Sequence, residues 1–464
     1  MEGYLDQAKI DYVLFHLKLH VKVDKLIDQK LCFIDYGKAI NFKNSIVFQL
    51  SPKGLNTNHI LGVGDLPILF PNSDSLDFFT IDQNQNIVFT HDFLKSIFYL
   101  LSGYQEYIDT ASKDNLGRFS FQDSIQCKLN VIEKALVNHY FDKIVDGLEL
   151  FCAHHKISIE RKRPFKTIGL LLTHDIDYVD KFTYNYWIYK LKEIFKIRPS
   201  KLSFDQNIIL LIKGFLNYIG FSKKNPFWNF KWIRDTQKKY NWKSTFYFLD
   251  QGVKNSDAFY SFNEPRLLSL FEYLKNDGCE IGLHGRVGSV TDRLNMEESL
   301  AKLSHASKAN IIGIRQHRLL WKHPTTALIQ ASLGFKYDTT LGFAAHQGFR
   351  NSYCFPFRIF DFEKNTISSI WELPLNVMDV TLFAYQNYST SQALEACERI
   401  LLEVNHFGGL FTLLWHNSFF DEDTYPGITE FYLALLEKIA AYNPHNDTGI
   451  EITNYIEKFR ESND

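Results

Sequence analysis

The sequence has little cysteine, and no two cysteines form a Cys-x-x-Cys pair. A disulfide framework or a thiolate zinc site usually needs closely spaced cysteines. The wide spacing of the cysteines in this chain therefore argues against both. We expect reduced, mostly buried thiols, as is typical of a cytoplasmic protein. The chain of 464 residues contains six cysteines: Cys32, Cys127, Cys152, Cys279, Cys354 and Cys397.

The sequence also lacks a long uninterrupted apolar run. Its most apolar window, residues 208–221, is broken by Lys213 and is shorter than the roughly 20 residues that a membrane-spanning helix needs. The first six residues contain acids and no apolar stretch, so we expect no secretory signal. Two roles are open for residues 207–221: a peripheral contact with a membrane surface, or packing over an apolar flank of the protein as a cover. We favour the second.

An excess of basic charge is missing as well. The chain has 51 Lys and Arg against 53 Asp and Glu, a formal net charge of -2. Because a nucleic-acid-binding surface needs clustered cations to neutralise phosphates, we expect no nucleic-acid partner. Aromatic residues are abundant instead, with 41 Phe and 24 Tyr. Most of them belong in cores, although aromatic walls also suit sugars.

The length favours more than one domain, since a single core rarely extends over so many residues. Residues 1–160 combine an amphipathic helix near the start, short β-rich runs between about 30 and 90, and further helices at 91–107 and 128–154. They contain no cluster of metal ligands or nucleophiles. We therefore predict a smaller α+β accessory domain that supports the C-terminal part of the chain or restricts access to it.

Residues 161–464 alternate between strand and helix patterns, which predicts an α/β fold with a parallel sheet. About seven strands indicate a distorted (β/α)7 barrel. The gap at 181–226 is too long for one loop, so we predict a helical insertion there. The predicted strands are 168–174, 244–249, 279–284, 311–316, 336–339, 368–373 and 409–416.

The first of these strands carries the most informative stretch, Ile168-Gly-Leu-Leu-Leu-Thr-His-Asp-Ile-Asp177. Asp175 and Asp177 are two residues apart on an extended segment and point to the same side. Each therefore raises the pKa of the other unless a cation lies between them. The pattern favours a metal ion, a shared proton or both. The structural alternative is a turn in which the acids cap the next element.

Polar side chains stand at the C-terminal ends of six of the seven predicted strands. In a parallel barrel these ends share one rim, where active sites are built. A single histidine at a strand end is usually a satisfied core residue, but so many polar ends favour an active site. The residues are His174, Asp175, Asp177, His284, Arg315, His317, Asp338, Glu372 and His416.

Several motifs together resemble the polysaccharide deacetylases of the NodB-homology type, carbohydrate esterase family four, over about residues 165–440. Residues 93–119, with Leu101-Ser-Gly-Tyr-Gln-Glu-Tyr107 and Gly117-Arg-Phe119, resemble the accessory domain of a bacterial branch often encoded with surface-polysaccharide biosynthesis genes. The motifs are Thr173-His-Asp-Ile-Asp177, Glu280-Ile-Gly-Leu-His-Gly285, Gly313-Ile-Arg-Gln-His317, Tyr337-Asp-Thr-Thr-Leu-Gly-Phe343, Gly348-Phe-Arg350 and Leu413-Leu-Trp-His-Asn417.

The resemblance implies a role for each matched residue. Asp175 would be the general base, with Arg315 holding its carboxylate, and His416 would be the general acid. Asp177 and His284 would bind a divalent metal ion, most simply zinc. The expected reaction is hydrolysis of an N-acetyl group on a carbohydrate substrate, releasing acetate and a free amino sugar.

Further residues of the rim are expected to contact the substrate. These are Asp338, Glu372 and Trp415, which lie at the ends of the fifth, sixth and seventh predicted strands. Their placement on the same rim as the expected base is the reason for this expectation.

Three positions depart from the family pattern. The second histidine ligand, usual four residues after the first, is replaced by Gly288, and two usual prolines are replaced by His317 and Asn417. We predict that His317 substitutes as the missing ligand, with His174 and His346 as weaker candidates. Because two protein ligands rarely retain zinc, two alternatives stay open. One is a catalytically silent carbohydrate-binding or assembly protein, and the other is a hydrolase of a non-sugar amide or cyclic imide.

Overall fold

The computed structural model of the protein describes residues 5–52, 54, 60–63, 65–108, 113–197, 202–221, 224–252 and 256–463. The first four residues, which are part of the stretch predicted to carry no secretory signal, lie outside the described residues. So do 198–201 and 222–223 within the predicted insertion.

The first third of the chain mixes helices with short strands. The helices are α1 Gln7–Leu17, α2 Phe93–Leu101, α3 Tyr104–Ile108, α4 Ile125–Lys128 and α5 Leu136–His155. The strands are β1 Val21–Val23, β2 Leu31–Asp35, β3 Ile46–Leu50, β4 Leu61–Val63, β5 Leu66–Ile68, β6 Phe79–Ile81, β7 Ile87–Phe89 and β8 Ile159–Arg161.

The rest of the chain alternates between strands and helices. The strands are β9 Gly169–Ile176, β10 Thr245–Leu249, β11 Glu280–Gly285, β12 Gly313–Gln316, β13 Tyr337–Asp338, β14 Phe357–Asp361, β15 Thr366–Glu372, β16 Val377–Met378, β17 Leu410–Leu414 and β18 His445–Asn446. The helices are α6 Tyr184–Ile194, α7 Phe204–Tyr218, α8 Phe230–Lys238, α9 Pro265–Asn276, α10 Arg293–Ser307, α11 Thr325–Ser332, α12 Thr390–Phe407, α13 Ile428–Ala440 and α14 Gly449–Glu461.

The protein is a mixed α/β protein built on one curled, mostly parallel sheet. The strand order is β14-β15-β13-β12-β11-β10-β9-β17-β16, with β18 beside β9. Only β14 runs antiparallel to its neighbour. The predicted count of seven barrel strands is not confirmed: ten strands pair here, and among the described residues no pairing joins β14 to β16.

Strand β9 is an interior strand of the sheet, and all eight of its residues are buried. It pairs in parallel with β10 on one side and β17 on the other. Successive side chains of a strand point to opposite faces, and helices cover both faces of such a sheet. This is the physical reason why Leu170, Leu171 and Leu172 form a continuous apolar run rather than an alternating one.

A separate four-stranded sheet, in the order β2-β3-β7-β6, lies in the N-terminal part. The two parts of the chain are in direct contact. The buried guanidinium of Arg350 binds Glu106, with Nε at 2.8 Å from Oε1 and Nη2 at 2.6 Å from Oε2. Burial alone would raise the pKa of Glu106, but the charge and hydrogen bonds of Arg350, together with the charge of His323, outweigh burial and lower it. The division of the chain near residue 160 stays a prediction.

Two findings concern the absences noted in the sequence. All six cysteines are free, and four of them are buried. Within the described ranges, no helix is long and apolar enough to cross a bilayer.

Candidate active site

A cavity of about 290 Å³ opens at the C-terminal ends of the central strands. Its polar lining comes from β9, β11, β12 and β17 or from the residues just after them. One side is closed by Leu116 and Arg118 of the N-terminal part, which the sequence did not place at the site. The main polar and charged residues of the lining are Arg118, Asp175, Asp177, Tyr178, His284, His317, Arg318, Tyr385 and His416.

Asp175 is held by a buried arginine. Arg315 Nη1 donates to Asp175 Oδ1 at 2.9 Å and to Thr173 Oγ1 at 2.8 Å. Thr173 and Asp175 can both be reached because they are two residues apart on β9 and share a face. Arg315 Nε also donates to the carbonyl of Thr339 at 2.9 Å. The carboxylate therefore has one oxygen fixed and the other directed toward His284.

Asp177, His284 and His317 form a compact group of potential metal ligands. One ligand atom from each lies within 4.8 Å of the others. His284 Nε2 is 3.4 Å from Asp177 Oδ1, and His317 Nε2 is 3.6 Å from Asp177 Oδ2. Ligand atoms around a tetrahedral zinc ion at its usual bond lengths are about 3.3 Å apart. The two separations from Asp177, one to each of its carboxylate oxygens, are close to that value.

Both imidazoles are oriented through their other ring nitrogen. His284 Nδ1 donates to the carbonyl of Arg315 at 2.9 Å, which directs Nε2 into the cavity. His317 Nδ1 is 3.3 Å from Asp257 Oδ1, and the same oxygen accepts from the Val287 amide. Metal-binding histidines commonly have such a partner, which fixes the tautomer and the ring plane.

The group fits a divalent cation by a further observation. Asp177 Oδ1 is enclosed by protein, yet it accepts no hydrogen bond from the part of the chain that the structure describes. A buried carboxylate oxygen without a donor is costly unless a cation satisfies it. One carboxylate and two imidazoles are also a common donor set for zinc. Asp177, His284 and His317 would therefore hold the ion.

His416 lies across the cavity with a carboxylate partner of its own. Its Nδ1 is 2.8 Å from Asp379 Oδ1, and its main-chain N–H donates to Asp379 Oδ2 at 2.6 Å. Its Nε2 points toward Asp177 Oδ2 at 3.9 Å. The ring is thus fixed with one nitrogen directed into the cavity, as a proton donor requires.

The charges of the group are strongly coupled. Burial raises the pKa of Asp177, but the nearby His317, His284 and His416 together outweigh burial and lower it well below its usual value. Burial lowers the pKa of His317, whereas the charge of Asp177 raises it to about 9. For His416, Asp379 outweighs burial and raises the pKa to about 10. A bound cation would displace protons from this group, because metal ligation needs neutral imidazoles.

The three residues expected to contact substrate are not at the cavity. Asp338, Glu372 and Trp415 are fully buried and are absent from its lining. Burial raises the pKa of both acids, and the charge of Asp338 raises that of Glu372 further. A polar residue at a strand end lines the cavity only if its side chain is on the face of the sheet that faces the cavity. The register of the strand decides which face that is.

The buried acids nevertheless support the site from behind. Asp338 accepts from the Thr340 amide at 2.6 Å, and Glu372 accepts from the Leu341 amide at 2.8 Å. These bonds fix the segment after β13, whose Thr339 binds Arg315. Trp415 packs among aromatic rings and is stacked on Phe431, with the two ring centroids 5.8 Å apart.

The two weaker metal candidates lie outside the ligand group. His174 is buried on the opposite face of β9, where Nδ1 bonds the carbonyl of Trp415 and Nε2 bonds Gln237. His346 packs against Phe121, with ring centroids 4.8 Å apart. Neither lines the cavity that contains Asp177.

The other departures have structural consequences. Gly288 lies in a short 3₁₀ turn, Val287–Val290, so the usual second ligand has no equivalent there. Asn417 donates to the carbonyls of Tyr178 at 2.7 Å and Phe227 at 2.8 Å. A proline has no side-chain donor for these bonds. Asn417 therefore ties together the segments that follow β9 and precede α8.

Several residues of the site were missed from the sequence: Tyr178, Arg318 and Tyr385 of the lining, and Asp257, Asp379 and Arg118. Asp257 lies in a loop and Asp379 follows a strand of two residues, so neither stands at a recognisable strand end. Arg118 was noted only as part of Gly117-Arg-Phe119. It donates to Tyr385 Oη and to the carbonyl of Arg318, both at 3.0 Å, and so joins the N-terminal part to the rim. No sequence signal pointed to Asp379, because it is 37 residues away from His416, its hydrogen-bond partner.

Comparison with known families matches residues 6–152 to DUF7033, a family of unknown function. A search of curated proteins found no match. The matched residues are fewer than half of the chain, and they do not include the residues around the cavity that come from the central sheet.

Several solved structures are similar to the chain at low identity. A protein described as a candidate polysaccharide deacetylase from Mycobacterium smegmatis is 16% identical, with 64% of this chain and 91% of that chain covered and a TM-score of 0.41. PuuE allantoinase is 12% identical, with 64% and 93% covered and a TM-score of 0.40. A family-four carbohydrate esterase pseudoenzyme from Bacillus anthracis is 10% identical, with 62% and 66% covered and a TM-score of 0.32. All three scores are below 0.5, so the function is argued from the side chains of the cavity.

Proposed function

We propose that this protein is a metal-dependent hydrolase that removes an N-acetyl group from an amino sugar in a glycan or glycan precursor. One observation carries the proposal. A single cavity contains a carboxylate held by a buried arginine, three potential metal ligands, and an imidazole fixed by a second carboxylate. Amide hydrolysis needs a base, a charge-stabilising group and an acid, and the cavity offers one candidate for each.

The chain's own residues have distinct parts in this reaction. A divalent cation, when bound, supplies Lewis-acid polarisation and lowers the pKa of water. Asp175 would remove a proton from the attacking water, and Arg315 would hold its carboxylate in the productive orientation. His416 would donate a proton to the leaving amine, with Asp379 keeping the ring in place. Acetate and a free amine would result.

An apolar wall beside these groups suits an acetyl substrate. Leu319, Ala344, Met378 and Leu414 line the cavity and form a small apolar cluster that packs around Leu375. Such a wall favours a methyl group over a charged or hydrated one. The resemblance in sequence suggests a substrate from surface-polysaccharide biosynthesis in the cytoplasm, and the donor set suggests zinc.

The silent-binder alternative is less well supported by the geometry. A protein that only binds carbohydrate has no need for Arg315 behind Asp175 or for Asp379 behind His416. His317 also takes a place in the ligand group, although Gly288 offers none.

The proposal is tested by metal analysis of chelator-free protein and by product analysis with N-acetylated sugars. We expect close to one equivalent of metal and release of acetate that stops on chelation and returns with zinc. Metal-free protein that releases no acetate after metal is added would favour the binder. Ammonia or a ring-opened product would favour the hydrolase of a non-sugar amide or cyclic imide.

Asp379→Asn is predicted to lower kcat by about 10- to 100-fold, because the amide leaves the His416 ring less well oriented and without its negative partner. Metal content and KM should stay near wild-type values, since Asp379 is not among the ligands. Steady-state kinetics with metal analysis check this. Equal kcat values in the two proteins would show that Asp379 does not act through His416.

Arg118→Ala is predicted to raise KM about tenfold, the effect of losing one or two hydrogen bonds from a charged group. The loop of residues 114–119 would lose its anchors at Arg318 and Tyr385, so that side of the cavity would no longer be held closed. The control is Arg399→Ala, which removes an arginine paired with Glu133 and absent from the cavity. An unchanged KM in Arg118→Ala would exclude the N-terminal loop from substrate binding.

A further inference from the structure

The predicted insertion between β9 and β10 contains two helices that pack on each other, α6 (Tyr184–Ile194) and α7 (Phe204–Tyr218). Gly214 allows the close approach, because a Cβ there would lie 3.2 Å from the ring of Phe182 and from that of Tyr186. Tyr186 Oη also donates to the carbonyl of Leu210 at 3.0 Å. We call these two helices the helix pair.

The helix pair presents large apolar side chains to solvent. On α7, Phe204, Ile212 and Phe215 are more than half exposed and fall on one stripe of the helix, which continues through Ile219. The side chains of Phe195 and Tyr218 are 70% and 80% exposed. This exposure favours the other interpretation from the sequence, a peripheral contact with a membrane surface, over a cover for an apolar flank. Only Asn207, Leu210 and Gly214 of α7 are buried.

The same segment is strongly basic. Residues 181–226 contain nine Lys and Arg but only two Asp and Glu, a net charge of +7. The remaining residues contain 42 Lys and Arg and 51 Asp and Glu, a net charge of -9. Lys192 and Lys196 are exposed next to the apolar side chains. Three of the nine cations are already paired with carboxylates, Lys181 with Asp421, Lys190 with Glu193 and Lys213 with Asp423. The basic charge that remains lies in the same segment as many of the exposed apolar residues.

An apolar stripe beside lysines matches the interface of an anionic lipid bilayer. Aromatic and aliphatic side chains enter the boundary between headgroups and acyl chains, while lysines bind the phosphates. A helix of 15 residues such as α7 is about 22 Å long. That is too short to cross the roughly 30 Å hydrocarbon core, so the helix pair would lie in the plane of the interface.

The helix pair and the segment that leads into it are tied to the segment after β17 by ion pairs. Lys181 Nζ binds Asp421 at 2.7 Å, and both side chains are buried. Lys213 binds Asp423 at 2.5 Å. The insertion follows directly on Asp177 and Tyr178, which line the cavity. The helix pair is therefore joined to the cavity by a short segment of chain.

We propose that the helix pair docks this protein on the surface of a membrane that contains anionic lipids. Exposed apolar residues and the local basic charge point to the same partner, whereas a second copy of this chain would bring two basic segments together. Docking places the cavity beside molecules anchored in the bilayer, and it does not depend on the hydrolase activity.

The experiment is flotation of the full-length protein with vesicles, without any substrate. We expect binding to vesicles of phosphatidylglycerol mixed with phosphatidylcholine, weak binding to phosphatidylcholine alone, and loss of binding at high salt. The double variant Ile212→Gln, Phe215→Gln should bind about tenfold or more weakly, because two exposed apolar groups are removed. Lys192→Gln with Lys196→Gln should also bind about tenfold more weakly.

The matched control is Leu402→Gln, which changes an exposed leucine in the interior of α12. It should bind vesicles like the wild type, and thermal unfolding should show all variants folded. Failure of the wild-type protein to bind anionic vesicles would overturn the proposal, as would wild-type binding by the Ile212→Gln, Phe215→Gln protein. A wild-type dimer that this double variant converts to a monomer would assign the surface to a second copy and overturn it as well.

Discussion

Asp175→Asn is expected to lower kcat by about 10²-fold or more while metal content stays unchanged. The amide has almost the same shape but cannot take a proton from water, and losing a general base has effects of this size. Arg315 keeps its bonds to Thr173 and Thr339, so the surrounding network remains in place. Single-turnover and steady-state rates on an N-acetylated sugar, with metal analysis, give the measurement.

The control for this variant is Asp250→Asn. Asp250 is also a buried carboxylate near a strand end, paired with Arg286 at 3.5 Å and Lys302 at 3.3 Å, but it does not line the cavity. It should lose stability with little change in kcat. A normal turnover number in the Asp175→Asn protein would show that the base has been assigned to the wrong residue.

His317→Ala is expected to reduce metal affinity by more than about 100-fold, and with it the acetate-releasing activity. Removal of an outer partner of a ligand already costs up to about 100-fold, so loss of a ligand should cost more. Asp177 and His284 would remain as the two protein ligands, which is rarely enough to retain zinc. Titration with a competing chelator measures the affinity directly.

His346→Ala is the matched control for this second variant. It removes a histidine of the same rim that packs on Phe121 outside the ligand group. Metal affinity should then equal that of the wild type. The same affinity in His317→Ala would remove His317 from the ligand set and leave the substitution for Gly288 unexplained.

The sequence was informative wherever chemistry coincided with a regular pattern. The apolar run before Thr173 predicted a buried strand, and β9 is one. Asp175 and Arg315 are on separate strands 140 residues apart in sequence, and the structure brings them to 2.9 Å. The parallel sheet is the physical reason, because it places the same ends of its strands side by side.

The same reasoning is less informative where the direction of a side chain matters. Asp338, Glu372 and Trp415 stand at strand ends but face into the protein, because a shift of one residue moves a side chain to the other face. Asp257 and Asp379 have no strand pattern of their own. Their contacts with His317 and His416 exist only after the chain has folded.

The sequence by itself determined the alternation of strands and helices, the free cysteines without pairing motifs, and the polar residues available at strand ends. These are local properties, since hydrophobic period and residue type act within a few residues. Only the tertiary structure decided which polar side chains share the cavity and which exposed faces of α6 and α7 stay uncovered. Both depend on neighbours that are distant in sequence, and no local pattern encodes the position of a distant neighbour.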